Sequence, residues 1–219
     1  MEKLELVIGN KAYSSWSLRP WLALKHTGAV FGETRISLYV QGSKKEMLRH
    51  AGSGKVPVLK HGALTVWDSL AICEYLAESF PAAHLWPESM AERAEARSIS
   101  AEMHSGFTHI RSAMPFNCRA RGRHVMRTQD VDNEIKRVEE IWNGCRARHQ
   151  TQGPWLFGSF TIADAMFAPV ALRFVTYGVE FGGLARAYVD TVETHPPVQE
   201  WIAAAREERE IIESSEVGK

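Results

Sequence analysis

The sequence predicts an α/β part over residues 1–80 and an all-helical part over residues 89–219, joined by a linker at 81–88. Short apolar runs alternate with helical periodicity in the first part, whereas only helical periodicity follows the linker. The linker contains Pro81 and Pro87 and has no hydrophobic period, which is typical of a boundary between domains. These observations favour an α/β domain followed by a helical domain.

The first part is expected to follow the order β-α-β-α-β-β-α. Its predicted elements are a strand at Leu4–Ile8, a helix at about 18–27, a strand at 34–38, a helix at Ser43–His50, strands at 56–60 and 63–67, and a helix at Ser69–Ser79. A βαβ unit makes the first two strands parallel, and the short His61-Gly62 connection makes the last two an antiparallel hairpin. Pro20 is compatible with the first helix only in its first turn.

The second part is expected to be helical throughout. One helix is predicted from about residue 89 to beyond 111, a second over about 130–150, and shorter ones up to about residue 209. Thr161 stands three residues before Asp164 and ahead of an apolar run, which predicts a capping box with a folding role rather than a catalytic one. The polar tail at 211–219 is expected to fray.

Composition narrows the classes of function. The chain of 219 residues has 26 basic and 26 acidic side chains, so its formal net charge of zero lacks the basic excess of a nucleic-acid or anionic-membrane binder. No apolar run reaches the roughly 18 residues that a membrane span needs, and no signal peptide is expected at the start. The three cysteines lack Cys-x-x-Cys spacing and predict neither a disulfide framework nor a metal site. We therefore expect a cytoplasmic protein.

Three local features of the first part could carry chemistry, and each has a structural alternative. Residues 13–20 place serine hydroxyls at the amino end of the first helix, where free N–H groups favour an anion, although capping explains the same residues. A cis bond between Val56 and Pro57 would free the Val56 backbone for a peptide-like ligand, although most such bonds are trans. Asp68 and Ser69 form an ordinary N-cap pair that could also bind an amino group and a carboxylate.

In this order along the chain, these segments resemble the cytosolic glutathione transferases, whose first domain is thioredoxin-like and whose second is all-helical. The resemblance covers essentially the whole chain and is carried by residues 14–20, 55–59, 67–72 and 160–164. Its Ser-Ser-x-Ser-x-Arg stretch is closest to the zeta class, which is a serine-type class. Trp16 stands where the zeta pattern has a cysteine that is used for isomerase and redox chemistry.

The resemblance implies an enzyme that takes glutathione as co-substrate and activates its thiol for conjugation, isomerisation or peroxide reduction of a small electrophile. It implies Ser14 as the catalytic hydroxyl, with Tyr13 and Ser15 as the alternatives. The residues it implies for glutathione binding are Ser15, Gln41, Lys55, Val56, Pro57, Asp68 and Ser69. The residues expected in the electrophile pocket are Trp16, Met114, Arg173 and Tyr177, with Arg173 as a cation for an anionic substrate tail. Arg173 and Tyr177 are four residues apart on one helix face, so an ordinary surface pair is the alternative for them.

The resemblance also implies a two-fold homodimer, with no nucleic-acid or membrane partner. The alternative function is a non-catalytic binding or regulatory protein of the same architecture, which failure to bind glutathione would favour. A basic cluster at Arg119, Arg121, Arg123 and Arg127 is interpreted as a solvated loop between helices.

Overall fold

A four-stranded mixed sheet lies at the centre of the first part of the chain. The computed structural model describes residues 3–219, and its strands are β1 (Leu4–Ile8), β2 (Phe31–Arg35), β3 (Val58–His61) and β4 (Leu64–Val66), in the order β2-β1-β3-β4. β1 pairs in parallel with β2 and antiparallel with β3, and β3 pairs antiparallel with β4. The predicted βαβ unit followed by a hairpin is confirmed.

Nine helices complete the architecture of the described residues. They are α1 (Ser15–Thr27), α2 (Ser43–His50), α3 (Ser69–Ser79), α4 (Met90–Ser105), α5 (Thr108–Ala113), α6 (Gln129–His149), α7 (Ile162–Thr176), α8 (Gly183–Thr194) and α9 (Pro196–Arg206). A thioredoxin-like α/β domain is thus followed by an all-helical domain, as the sequence predicts. Short 3₁₀ turns lie at Pro81–Ala83 and Glu213–Ser215.

Three strands differ from their predicted boundaries. β2 lies at Phe31–Arg35 instead of 34–38, because beyond it the backbone N–H of Leu38 turns to the Asn10 side chain at 2.8 Å. β3 begins two residues later than predicted, because residues 56 and 57 belong to the preceding loop. β4 is one residue shorter at each end than the predicted 63–67.

The long helix predicted beyond residue 111 is wrong, because it is divided into α4 and α5. Gly106 caps α4, and a Cβ atom there would lie 2.7 Å from the carbonyl oxygen of Glu102. Phe107 then adopts a left-handed backbone with φ of 54° before α5 begins. The chain therefore turns at residues 106–107 and ends α4 there. The last turn of α4 lies beside the first domain, where His104 contacts Asp68.

Pro20 lies in the interior of α1, contrary to its predicted place in the first turn. α1 begins at Ser15, so Pro20 is its sixth residue. Its missing N–H leaves the carbonyl of Trp16 without the usual helical partner. α1 tolerates this proline because its buried face packs against α3 and α7. Trp21 of α1 also packs against Trp201 of α9, with ring centroids 5.2 Å apart. Packing against elements of both domains therefore stabilises α1 despite the missing hydrogen bond.

The predicted capping box at the start of α7 is confirmed. Fully buried Asp164 accepts hydrogen bonds from the backbone N–H of Leu156 at 3.0 Å and from Thr161, whose N–H lies at 2.8 Å and whose hydroxyl lies at 3.0 Å. Burial raises the pKa of Asp164 to about 6, and these donors oppose the rise. The carboxylate joins the start of α7 to the loop before it, which is the folding role that the spacing predicts.

The expectation that the tail frays is wrong, because its carboxylate Glu216 is bound in the body of the protein. The Glu216 side chain is only 9% exposed and accepts hydrogen bonds from the Tyr13 hydroxyl at 2.7 Å and the Asn117 amide at 2.9 Å. Arg123 contacts the same carboxylate at 2.5 Å. The polar composition of residues 211–219 therefore reflects specific pairing rather than solvation.

The basic cluster also differs from its interpretation as a solvated loop. Arg119 donates to the backbone carbonyls of Glu208 and Glu210, and Arg123 pairs with Glu216. Only Arg127 makes a purely local ion pair, at 3.1 Å to Asp132. Two of the four arginines therefore anchor the C-terminal segment.

Glu216→Gln should lower the free energy of unfolding at pH 7 by about 1–2 kcal/mol, because charge-assisted hydrogen bonds are lost. Burial raises the pKa of Glu216, but the hydrogen bond from Tyr13 and the charge of Arg123 outweigh it and hold that pKa below 4.5. A lowered pKa in the folded state contributes stability above pH 4.5 that disappears as the pH falls through the folded value. Urea unfolding of both proteins at pH 7, 5 and 3.5 measures this, and a deficit that stays constant with pH would contradict it.

Candidate functional site

A cavity of about 530 Å³ opens between the end of the sheet where β3 begins and β4 ends and the last turn of α4. Four segments bound it: the first turn of α1, the loop before β3, the start of α3 and the last turn of α4. Its lining residues are Trp16, Ser53, Lys55, Val56, Pro57, Trp67, Asp68, Ser69 and His104. All three features that the sequence singled out in the first domain therefore contribute to one cavity.

The start of α3 offers an unused hydroxyl to this cavity. Asp68 caps the helix through Oδ1, which accepts from the N–H groups of Leu70 at 3.0 Å and Ala71 at 3.2 Å. Ser69 is only 1% exposed, and its hydroxyl has no hydrogen-bond partner among the described residues. A buried hydroxyl without a partner at a helix N-terminus is suited to a ligand carboxylate, because the helix dipole adds to the hydrogen bond.

The loop before β3 presents an unpaired stretch of backbone. Val56 lines the cavity, the Val56–Pro57 peptide bond is cis, and β3 pairing begins only at Val58. Within residues 3–219, neither the N–H nor the C=O of Val56 takes part in a hydrogen bond. This backbone can pair with an extended peptide-like ligand, while the exposed Lys55 ammonium beside it suits an anionic group.

The first turn of α1 is organised by two serines. The Ser14 hydroxyl caps the helix, accepting from the N–H of Ser17 at 3.3 Å, and the two hydroxyl oxygens lie 2.7 Å apart. The Gly9 N–H donates to the Ser17 hydroxyl at 3.1 Å and fixes that pair. The N–H groups of Ser15 and Trp16 make no hydrogen bond to any described residue. Free donors and the positive helix end thus meet at the cavity edge.

The Tyr13 hydroxyl is engaged elsewhere. It donates to Glu216 at 2.7 Å and accepts from Arg119 at 2.7 Å, so it faces the C-terminal tail. Burial, followed by the hydrogen bond to Glu216, raises the pKa of this phenol. Among the alternatives for a thiol-activating hydroxyl, Tyr13 is the one whose hydroxyl is held by the C-terminal tail and Arg119 rather than by the first turn of α1.

Six of the predicted site residues do not line the cavity: Ser14 and Ser15, which are buried beside Trp16 at the start of α1, and Gln41, Met114, Arg173 and Tyr177. Gln41 is exposed in a separate depression beside α2. Met114 and Tyr177 are buried, and the Tyr177 hydroxyl donates to the carbonyl of Pro115 at 2.9 Å. Arg173 is also buried and absent from the lining. Of the four residues predicted for the electrophile pocket, only Trp16 lines the cavity.

Three lining residues were not singled out as ligand contacts by sequence reasoning. Ser53 has a buried hydroxyl without a partner among the described residues, and its place between two glycines signals only a turn. Trp67 is 51% exposed beside Asp68, an adjacency that could have indicated a site. His104 lies in the last turn of α4, where its Nε2 lies 2.9 Å from an Asp68 carboxylate oxygen and its ring meets Trp16 edge-on, with ring centroids 5.3 Å apart. That contact depends on the packing of α4.

Metal-ligand clusters and membrane-spanning helices are both absent from residues 3–219. No group of three His, Cys, Asp or Glu side chains there is placed to hold a metal ion. No helix in the same range is long and apolar enough to cross a membrane. The three cysteines are buried free thiols, and burial raises the pKa of Cys118 and Cys145 to about 12.

The sequence matches two family models in succession. Residues 13–79 match the glutathione S-transferase N-terminal domain, and residues 126–204 match the glutathione S-transferase C-terminal domain. A protein named glutathione S-transferase 1 from Dianthus caryophyllus is 35% identical over 94 residues, which are 42% of each chain. Maleylacetoacetate isomerase from Rattus norvegicus is 35% identical over 101 residues, 45% of this chain and 46% of that one. The chain thus aligns with less than half the length of these relatives.

Solved structures share the fold along nearly the whole chain. A glutathione transferase homologue from Burkholderia, whose structure contains bound glutathione, superposes with a TM-score of 0.71 at 24% identity and covers 95% of this chain and 100% of its own. A Tau class glutathione S-transferase from mango gives a TM-score of 0.70 at 17% identity, with 93% and 96% covered. The N-terminal and C-terminal family models match this chain in that order, and both solved structures cover more than nine-tenths of it. The chain belongs to the glutathione S-transferase family.

Proposed function

We propose that this protein is a serine-type glutathione transferase that binds glutathione in the cavity and activates its thiol. The observation that carries the proposal is that one cavity holds the buried Ser69 hydroxyl and the Val56 backbone, neither of which has a hydrogen-bond partner among residues 3–219. The Ser69 hydroxyl can donate to a carboxylate, and the Val56 backbone can pair with a peptide. Together they suit a small peptide with a free α-carboxylate. Glutathione has both features, one relative of this chain is named glutathione S-transferase 1, and the Burkholderia structure of the same fold contains bound glutathione.

Each end of glutathione has a matching group among the lining residues. The γ-glutamyl carboxylate suits the Ser69 hydroxyl and the start of α3, and the ammonium group suits the Asp68 carboxylate. The cysteinyl backbone suits the N–H and C=O of Val56. The glycyl carboxylate suits Lys55. Gln41, expected to assist at that end, lies in a different depression and has no role in this arrangement.

Thiol activation is assigned to the first turn of α1, with Ser14 as the catalytic residue. An ordinary thiol has a pKa of about 8.5, and only the thiolate is nucleophilic. The Ser14 hydroxyl donates to Ser17 Oγ at 2.7 Å, and rotation about its C–O bond would redirect that proton to a bound sulfur. The free N–H groups of Ser15 and Trp16 and the helix dipole support the same negative charge. The engaged Tyr13 hydroxyl favours Ser14 over its tyrosine rival.

The electrophile is proposed to meet the sulfur between Trp16, Trp67 and His104, which form the aromatic side of the cavity. Conjugation, isomerisation and peroxide reduction all use an activated glutathione thiol. A maleyl-type acid is one substrate to test, because several relatives are named maleylacetoacetate isomerase. We also propose that the enzyme acts as a cytoplasmic homodimer, which a solution mass of one chain would contradict.

Calorimetric titration of glutathione into the protein should give saturable binding, one site per chain. Ser69→Ala should weaken that binding about tenfold, the effect of losing about 1.4 kcal/mol from a hydrogen bond to a charged group. Ser98→Ala is the matched control, because its hydroxyl is exposed on α4 and bonds only to the Ala94 carbonyl. Turnover should be assayed in parallel with a chloronitrobenzene, a maleyl acid and an organic hydroperoxide.

Absence of saturable glutathione binding would contradict the proposal and favour the non-catalytic alternative. Equal affinities for the wild type and Ser69→Ala would remove Ser69 from the binding site. Binding without turnover of any of the three substrates would separate glutathione recognition from catalysis.

A further inference from the structure

The buried Arg173 of α7 contacts Ser15, the first residue of α1. Its guanidinium donates through Nε to the carbonyl of Met114 at 2.9 Å and through Nη1 to the carbonyl of Pro169 at 3.5 Å. Its Nη2 donates to the hydroxyl of Ser15 at 3.3 Å. All three guanidinium nitrogens are thus in use, and the buried side chain does not line the cavity. It is therefore badly placed to anchor the anionic tail of a substrate directly.

The charge of Arg173 is not neutralised by a carboxylate. Among residues 3–219, no Asp or Glu oxygen lies within 4.0 Å of Arg173, Arg19 or Arg111. Arg19 is also fully buried; two of its guanidinium nitrogens have no partner among the described residues, and its guanidinium carbon lies 4.1 Å from the centroid of the Trp16 ring. Burial, followed by the charge of Arg111, lowers the pKa of Arg173 to about 10. Uncompensated buried cations are costly, so an anion bound nearby would recover part of that cost.

Ser15 links this charge to the ligand. Its hydroxyl accepts from a cationic donor, which polarises the O–H bond and makes it a stronger donor in turn. Because an Arg173 N–H donates to one lone pair of Ser15 Oγ, the hydroxyl proton of Ser15 points away from Arg173. Ser15 is the first residue of α1 and directly precedes Trp16, which lines the cavity. The polarised hydroxyl therefore lies in the turn that carries the free N–H groups.

We propose that Arg173 is a positioning residue that acts through Ser15, so that the Ser15 hydroxyl donates to the glutathione sulfur and favours the thiolate. The inference rests on the proposed function and adds a second hydroxyl beside Ser14. On binding, the thiol S–H bond ionises and its proton leaves to solvent, while the negative charge on sulfur is held by Ser15 and the helix end. Arg173 thereby stabilises the nucleophile rather than the electrophile.

The test is the pKa of the bound thiol, measured from the ultraviolet absorbance of the thiolate as the pH is varied at saturating glutathione. Arg173→Met should raise that pKa by about one unit, which is a tenfold loss of thiolate below the midpoint. Arg173→Lys should recover part of the shift, because it keeps the charge. In Ser15→Ala the pKa should also rise, and adding Arg173→Met to Ser15→Ala should change it little further.

Arg146→Met is the matched control. Arg146 is also buried and held by backbone carbonyls, those of Gly153 and Trp155, but it contacts no cavity residue. Its replacement should leave the pKa of the bound thiol unchanged, whatever it does to the melting temperature.

Three outcomes would overturn the inference. A thiol pKa in Arg173→Met equal to that of the wild type removes the role of Arg173. Equal shifts in Arg173→Met and Arg173→Lys assign a structural role instead, and additive effects of Ser15→Ala and Arg173→Met deny the link through Ser15. If Arg173→Met does not fold, Ser15→Ala and Arg173→Lys still decide. A wild type that does not bind glutathione overturns the proposed function itself, whereas a lowered wild-type thiol pKa with no effect of Arg173 overturns only the inference.

Discussion

Ser14→Ala should lower kcat/KM for the electrophile, measured at pH 6.5 and saturating glutathione, by about ten- to a hundredfold. One to two units of the thiol pKa depend on the lost hydroxyl, at about 1.4 kcal/mol for each unit. The pH midpoint of the profile should rise by the same amount, while glutathione affinity stays nearly unchanged. At a pH above the raised midpoint the rate should recover, because the thiolate then forms without the hydroxyl. That recovery distinguishes a pKa effect from damage to the fold.

A capping control is needed, because Ser14 also caps α1 and its loss costs about 1 kcal/mol of stability. Thr128→Ala removes an equivalent cap, the side-chain acceptor for the Val131 N–H at the start of α6, and should leave the pH profile unchanged. An unchanged profile in Ser14→Ala, with a shifted one in Tyr13→Phe, would transfer the role to Tyr13. No change in either variant would assign the thiolate to Ser15 and the backbone donors.

Asp164→Ala should lower the free energy of unfolding at pH 7.5 by about 3–5 kcal/mol, or prevent folding altogether. The substitution leaves three donors unpaired in the interior: the N–H of Leu156, the N–H of Thr161 and the hydroxyl of Thr161. Each unsatisfied buried donor costs about 1–3 kcal/mol. Because α7 packs against both α1 and α4, its loss should also reduce glutathione binding in proportion to the unfolded fraction.

Two variants calibrate this prediction, measured by urea unfolding. Asp164→Asn keeps one side-chain oxygen as an acceptor and should lie between alanine and the wild type. Asp132→Ala removes an exposed acid from the first turn of α6, where its partner is Arg127, and should cost less than about 1 kcal/mol. An Asp164→Ala protein as stable as Asp132→Ala would show that the buried box is not a folding element.

Local patterns accounted for the elements of the first domain. α2 and α3 have their predicted bounds, because the start of each helix depends on a few adjacent residues. α2 begins after Gly42, and α3 begins after the Asp68 cap. The capping box at Thr161 and Asp164 was predictable for the same reason. Five of the seven residues predicted to bind glutathione line one cavity, because they stand beside the start of β3 or of α3: Lys55, Val56, Pro57, Asp68 and Ser69.

What the sequence could not predict depends on contacts between distant segments. The break between α4 and α5 requires the close approach of Gly106 to the Glu102 carbonyl, and an isolated glycine in a helical pattern does not reveal it. The docking of Glu216 against Tyr13 joins residues that are 203 positions apart. Arg173 shares a helix with apolar neighbours and has the spacing of a surface residue pair, yet its partner is Ser15 in the other domain. Such pairings are fixed by tertiary packing alone.

The central claim is that this cavity binds glutathione and favours its thiolate. Its most direct test is spectrophotometric titration of glutathione bound to the wild-type protein, with the thiolate absorbance followed as the pH is raised. The account predicts a midpoint at least one unit below the value of about 8.5 for an ordinary thiol. A bound thiol that titrates at or above the value of free glutathione would contradict it.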